Sequence, residues 1–308
     1  RRTNASFWTR AQARLAGGAA GVLGADFGRA LEGGLLQQPD LLWNSYASLF
    51  SDMARYHGMV VVAGTAYLED PSDRAVRHMA VVFGPDGSLL GKQGAVTLAH
   101  DEHPMVEAAP TWQANQTPLG RLGVLIGNDM FYPEAGRILA YGGAEILVGL
   151  GATAEPVQYH RQRLGLLARV EDNQVYGALS FAVGYNPFTS GDGEPYVGRS
   201  LTAAPASMTP RFSGVMVEMG TDSAEGLITA EWSFRSLHDQ WQSDHAPLRS
   251  ALPLEHTGPT LAAIYGRRLA LEPALQANAA LAALPEPPNP AADSASQVAD
   301  GEMAGRTS

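Results

Sequence analysis

A tight turn at residues 127–129 stands between a predicted strand and a predicted helix, a position where many enzymes place a catalytic side chain. The strand is the apolar run 123–126, and the helix opens at Pro133 and Glu134, with a proline in its first turn and an acid near its positive end. The turn itself reads Gly-Asn-Asp, and none of these side chains is a strong nucleophile. We expect Asp129 to hydrogen-bond the backbone of the turn and Glu134 to satisfy helix N–H groups.

The other side chains that could do chemistry give weak patterns. The sequence contains no cysteine, so a thiol nucleophile, a disulfide and a cysteine-ligated zinc are excluded within these residues. Asp26 closes a predicted strand at 21–26, where it is either a retained base or ligand, or a carboxylate that caps a turn. Two histidines flank acids at 100–103, but Pro104 indicates a loop, so a polar loop is favoured over a metal site. The glycine pairs form no phosphate-binding or dinucleotide motif, and we expect no cofactor.

Length and charge exclude some classes of partner. The chain has 308 residues, 45% of them hydrophobic, a net charge of −10 and a pI near 5.2. This charge argues against nucleic acid and anionic membranes as partners, and no apolar run approaches the roughly 18 residues that span a bilayer. We therefore expect no nucleic acid and no membrane partner, and the charge by itself identifies no other partner. The absence of cysteine fits more than one compartment; we expect a cytoplasmic protein.

Strand and helix patterns alternate along the chain, which favours an α/β class. A tail at 284–308, rich in Pro, Ala and Ser, is predicted to be disordered, which leaves a domain at 1–283. The predicted helices are 5–17, 41–57, 158–170 and one that starts near 236, besides the one that opens at Pro133. The predicted strands are 21–26, 59–65, 77–83, 123–126, 144–148, 177–184 and 226–232.

The stretch 122–148, LGVLIGNDMFYPEAGRILAYGGAEILV, resembles the nucleophile segment of the nitrilase (carbon–nitrogen hydrolase) superfamily. That family typically reads Gly-Val-Leu-Ile-Cys-Tyr-Asp, then an aromatic residue with Pro-Glu, then a helix and a strand. Gly127 takes the place of the cysteine and Asn128 that of the tyrosine. The matching residues are Asp129, Phe131, Pro133 and Glu134. Further blocks that resemble the family extend the likeness over about residues 5–250.

In the resembled family a glutamate base deprotonates the cysteine, the thiolate attacks an amide or nitrile carbon, and a lysine holds the developing oxyanion. The corresponding positions are Asp26, Ala95 and Gly127, so the nucleophile and the cation are both substituted. Ala95 is chosen by anchoring on Leu98 and on Glu102. Glu102 is either the family's second glutamate, which positions substrate, or a solvated loop acid.

An alternative register remains open, in which Lys92 reaches the lysine place through a local insertion; Lys92 is the one nearby candidate cation in the sequence.

The resemblance implies a nitrilase-like α-β-β-α sandwich, with the family's first strand not recognisable, and a homodimer. It also leaves two hypotheses of function. In the first, the protein has lost catalysis and is a ligand-binding or scaffold subunit, a pseudoenzyme whose pocket is lined by Glu102, Asn128, Phe131 and Glu134. In the second, it is an amidase-type hydrolase that uses a route without cysteine, such as Asp26 activating a water molecule.

Overall fold

The computed structural model describes residues 38–100, 102, 106–185, 195–242, 248–249 and 251–266. The chain divides into two compact units, residues 1–250 and 251–308. In the second unit the described element is a helix, Leu254–Gly266. The predicted boundary at 283/284, the helix at 5–17 and the strand at 21–26 lie outside the described residues. Among the described residues, no helix is long and apolar enough to cross a membrane.

The first sheet of the larger unit has four strands built around one central strand. Strand β3 (Val76–Phe83) pairs antiparallel with β1 (Val61–Val62), β2 (Ala66–Glu69) and β4 (Leu89–Gly94). The predicted strand at 77–83 is confirmed and the turn at 84–87 follows it. The strand predicted at 59–65 pairs only over Val61–Val62, so most of that apolar run is not in a strand.

The second sheet has six strands, and its centre carries the turn at 127–129. Strands β6 (Gly120–Ile126), β7 (Ile146–Gly151) and β8 (Tyr176–Phe181) are parallel. Around them pair the antiparallel strands β5 (Asn115–Thr117), β9 (Leu201–Ala203) and β10 (Val215–Glu218). The parallel strands are buried on both faces, which explains their continuous apolar runs.

Helices cover the outer face of each sheet. Helix α1 (Pro39–His57) packs on the four-stranded sheet and ends at Gly58, which has a left-handed φ of 61°. Helices α2 (Pro133–Tyr141) and α3 (Pro156–Asn173) pack on the six-stranded sheet. A third apolar cluster lies between the sheets and joins residues of both, among them Ala80, Val82, Val124 and Ile126. The unit is therefore an α-β-β-α sandwich, as expected.

The prediction of a strand at 226–232 is wrong. Residues 226–232 form no strand, and helix α4 (Phe234–Gln242) follows them. The alternating apolar residues have another cause, because Trp232 stacks on Tyr176 with ring centroids 5.1 Å apart and an angle of 9°. Side-chain packing on a neighbouring strand can produce the same alternation as strand pairing.

Candidate functional site

The turn after β6 is held in a conformation that glycine adopts without strain. Gly127 has a φ of +51°, and a Cβ built there would meet no atom of the described residues within 4 Å. It begins a short 3₁₀ helix, Gly127–Phe131, which leads into α2 at Pro133. The position that the resemblance assigns to a nucleophile therefore lacks a side chain, and no described residue fills the space beside it.

Asp129 ties this turn to the end of the other sheet. Its carboxylate is fully buried; Oδ1 accepts hydrogen bonds from the Val96 and Thr97 amides at 3.2 and 2.8 Å. Oδ2 accepts from the Ile126 amide at 3.3 Å. Burial raises the pKa of Asp129 although these hydrogen bonds act in the opposite direction. The predicted bonding of Asp129 to backbone is confirmed, and it also joins the loop after β4 to the turn after β6.

Ala95 is the residue directly before this tied loop. It is 2% exposed and belongs to the same inter-sheet cluster as Ile126. The structure thus brings the segments of Ala95 and Gly127 together at one end of the sandwich. Asp26 lies outside the described residues, so its place at this site stays a prediction.

The alternative in which Lys92 supplies the cation is wrong for this fold. Lys92 pairs with Val81, whose side chain packs towards α1 on the outer face of the sheet. Successive strand residues point to opposite faces, so a spacing of three places Lys92 and Ala95 on opposite faces. The Lys92 ammonium is bound to Asp70 and lies 3.0 Å from the Ser72 hydroxyl.

Glu102 is held in the site region by groups on both of its oxygens. Oε1 lies 3.3 Å from Nδ1 of His78, and Oε2 accepts the Ala99 amide at 3.2 Å. Burial alone would raise the pKa of Glu102, but the nearby His78, with bonds from Ala99 and Tyr67, lowers it below its ordinary value. Glu102 is therefore a buried, ionised group, and the solvated-loop interpretation does not fit it.

The remaining predicted pocket residues lie on the same turn and helix. Asn128 and Phe131 are half-buried in the 3₁₀ helix, and Glu134 is half-buried at the start of α2. Their contact with a ligand stays a prediction. His78 belongs to no motif in the sequence, although its place in the predicted strand at 77–83 was a usable signal.

A serine beside β9 has a structural role, and two residues of the predicted polar loop at 100–103 lie outside the described residues. The Ser200 hydroxyl accepts the Phe181 amide at 3.1 Å, so it holds two strands together. Asp101 and His103 are not among the described residues, and Glu102 between them is bound to His78 and Ala99. Within the described part of the chain, no group of three metal-ligating side chains is found.

Known proteins share this sequence pattern. The family model described as carbon–nitrogen hydrolase matches residues 37–241. The chain is 31% identical over 190 residues to a nitrilase of Pyrococcus abyssi, with 61% of this chain and 68% of that protein covered. It is 31% identical over 144 residues to omega-amidase NIT2-B of Xenopus laevis, covering 43% of this chain and 50% of that protein. The chain spans half or less of the length of several other curated relatives.

A solved structure shares the fold. The chain resembles the crystal structure of a carbon–nitrogen hydrolase from Helicobacter pylori G27 with a TM-score of 0.60 and 19% sequence identity. The likeness covers 71% of this chain and 76% of that one. Identity at this level shows a shared fold but does not show a shared activity, which depends on the residues of the site.

Proposed function

Because the chain belongs to the carbon–nitrogen hydrolase family, we propose that it is a nitrilase- or amidase-like protein that has lost thiol chemistry. In this proposal it binds an amide or acid-like small molecule without turning it over, and works as a ligand-binding or scaffold subunit. The proposal concerns the residues that the family would use, Asp26, Ala95 and Gly127, and not the frame that holds them.

The observation that carries the proposal is the open turn at Gly127. Glycine has no atom that can attack a carbonyl or nitrile carbon, and no cysteine occurs in the sequence that could take its place. Loss of a nucleophile commonly lowers the rate by about a million-fold. Ala95 supplies no cation for an oxyanion either, so two groups on which such catalysis depends are missing from one site.

The ligand class follows from the pocket that remains. The small residues Ala95 and Gly127 leave more room and less charge than a lysine and a cysteine would. The frame around them is kept, since Asp129 still joins the two loops. A relative is an omega-amidase by name, which supports a small amide or its acid as the ligand of this chain.

The experiment is hydrolysis of simple amides and nitriles by the purified chain and by a restored variant. The restored variant carries Asp26→Glu, Ala95→Lys and Gly127→Cys. We expect no turnover by the parent chain and measurable turnover by the restored variant, because the Gly127 position has space for a side chain. Turnover by the parent that Asp26→Ala abolishes would overturn the proposal in favour of hydrolysis through an activated water.

We also propose a cytoplasmic homodimer that forms through the helices beside the turn. Large apolar side chains on these helices are exposed: Ile138 and Tyr141 on α2 are both 44% exposed, and Leu164 on α3 is 62% exposed. Contiguous exposed apolar residues are typical of protein interfaces. Light scattering after size exclusion tests this, and an unchanged dimer in an Ile138→Asp, Leu164→Asp variant would contradict it.

A further inference from the structure

One face of the four-stranded sheet carries a row of side chains that runs across three strands. Tyr67 is paired with His78, and the His78 carbonyl accepts the Ala95 amide at 2.8 Å, in continuous register. Residues directly opposite each other share a face of the sheet. Tyr67, His78 and Ala95 therefore project from the face that meets the other sheet, since Ala95 belongs to the inter-sheet cluster. His78 is the neighbour of the position at which the family lysine would stand.

The His78 ring is fixed on two sides. Its Nδ1 lies 3.3 Å from Oε1 of Glu102, whose side chain is 8% exposed. The Tyr67 ring lies 4.9 Å from the imidazole at an angle of 32°. A carboxylate that holds one ring nitrogen sets both the orientation and the tautomer of an imidazole. The His78 side chain is 25% exposed, so the ring is held in place and still accessible.

The charge of Glu102 decides which ring nitrogen of His78 can accept a hydrogen bond. The pKa of Glu102 is lowered, so its carboxylate is ionised near neutral pH and can only accept hydrogen bonds. Because Nδ1 of His78 lies 3.3 Å from this carboxylate, a proton on Nδ1 is more favourable in the neutral ring than a proton on Nε2. In a neutral imidazole the other nitrogen is an acceptor, which leaves Nε2 of His78 with a lone pair for a ligand.

We propose that His78, oriented by Glu102, contacts the ligand at the end of this row, and that its Nε2 accepts a hydrogen bond from the NH₂ group of a primary carboxamide. This inference rests on the proposed function, because it names the side chain that holds the amide. A carboxylate is the poorer ligand, since it has no proton to donate and would bring a second negative charge towards Glu102.

Calorimetry near neutral pH with propionamide and propionate tests the contact. We expect the parent chain to bind propionamide more tightly than propionate. His78→Phe keeps a ring of similar size but removes the acceptor, and weakens propionamide binding about tenfold. His160→Phe is the matched control, because His160 is exposed on α3 and does not belong to the row. We expect this variant to bind propionamide as the parent chain does.

The nitrogen spectrum of the His78 ring in the parent chain tests the contact without any substitution. The expected result is a proton on Nδ1, none on Nε2, and a shift of Nε2 when propionamide but not propionate is added. A proton on Nε2 in the neutral ring would overturn the inference whatever the binding results.

The remaining outcomes separate the inference from the proposed function. Equal propionamide binding by the parent and His78→Phe would overturn the role of His78 alone. No binding of either compound would overturn both. Hydrolysis of propionamide by the parent would overturn the proposed function alone, and a tenfold rise in KM for His78→Phe would then still support the contact.

Discussion

Strand β4 and the residue after it carry different chemical groups on their two faces. On the outer face, Lys92 is bound to Asp70, which also lies 3.2 Å from the Arg77 guanidinium. On the inner face, Ala95 occupies the position that the resemblance assigns to a catalytic lysine, and it contributes only a methyl group. The same segment therefore makes an ion pair on one side and carries none of the expected reactive groups on the other.

This difference separates the groups that hold the sandwich together from those that the resembled chemistry would need. Asp129 keeps all three backbone hydrogen bonds between the two loops, although Gly127 two residues earlier has no reactive side chain. Buried polar groups that lose their partners destabilise a fold, whereas a missing nucleophile leaves no partner unsatisfied. We infer that the frame is maintained for stability, independently of thiol chemistry.

The largest effect on stability is expected for Asp129→Ala. We expect it to lower the free energy of unfolding by about 3 kcal/mol, because the Val96, Thr97 and Ile126 amides all lose their acceptor. Denaturant unfolding followed by circular dichroism measures this. Asp239→Ala, at an exposed position of α4, is the control and should change stability by less than about 0.5 kcal/mol. An equal effect of the two variants would show that the inner site contributes nothing to the frame.

Asp70→Ala tests the outer face in the same assay. The substitution removes the carboxylate that pairs with Lys92. It also removes one of the two loop carboxylates that pair with Arg77, whose side chain is 9% exposed, and leaves Asp73 as the other. We expect a loss of about 2 kcal/mol, less than a fully buried pair would cost. Asp52→Ala breaks the exposed pair with Arg55 and should cost less than about 1 kcal/mol. A larger effect of Asp70→Ala than of Asp129→Ala would reverse the order proposed here.

Gly127→Ala tests how much the left-handed backbone conformation of the turn costs when a side chain is present. A side chain in the left-handed region costs about 1 kcal/mol, and space is not the cause, because the added Cβ meets nothing within 4 Å. Gly64→Ala is matched, since Gly64 also has open space but no left-handed φ, and it should be neutral or slightly stabilising. Equal melting temperatures for the two variants would mean that the turn relaxes at no cost.

The smallest effect concerns acid on the outer face. The hydrogen bond from Arg77 lowers the pKa of Asp73 from 3.8 to about 2. Pairing with an ionised Asp73 therefore stabilises the fold above its ordinary pKa, and this stability is lost as the pH falls towards about 2. Asp73→Asn should flatten the decline of melting temperature between these pH values and leave it unchanged near neutrality. The same decline in both proteins would contradict this.

Local patterns predicted the helices and the long strands well, because their periodicity depends on near neighbours. The parallel strands, α1, α2 and α3 all form close to their predicted ranges. Strand β5 (Asn115–Thr117) was missed because it is short and polar, and 226–232 was misassigned because Trp232 and its neighbours pack on another strand. Asp129 was correctly expected to bond backbone, but its long-range partners Val96 and Thr97 could not be read from a turn motif.

The residue types by themselves determined that no thiol attacks from position 127 and that no ammonium extends from position 95, because those atoms are absent from glycine and alanine. Only the tertiary structure decided that Lys92 faces away from the site and that His78 meets Glu102. The physical reason is that strand pairing assigns each side chain to a face and brings together residues far apart in the chain, and a linear pattern contains neither relation.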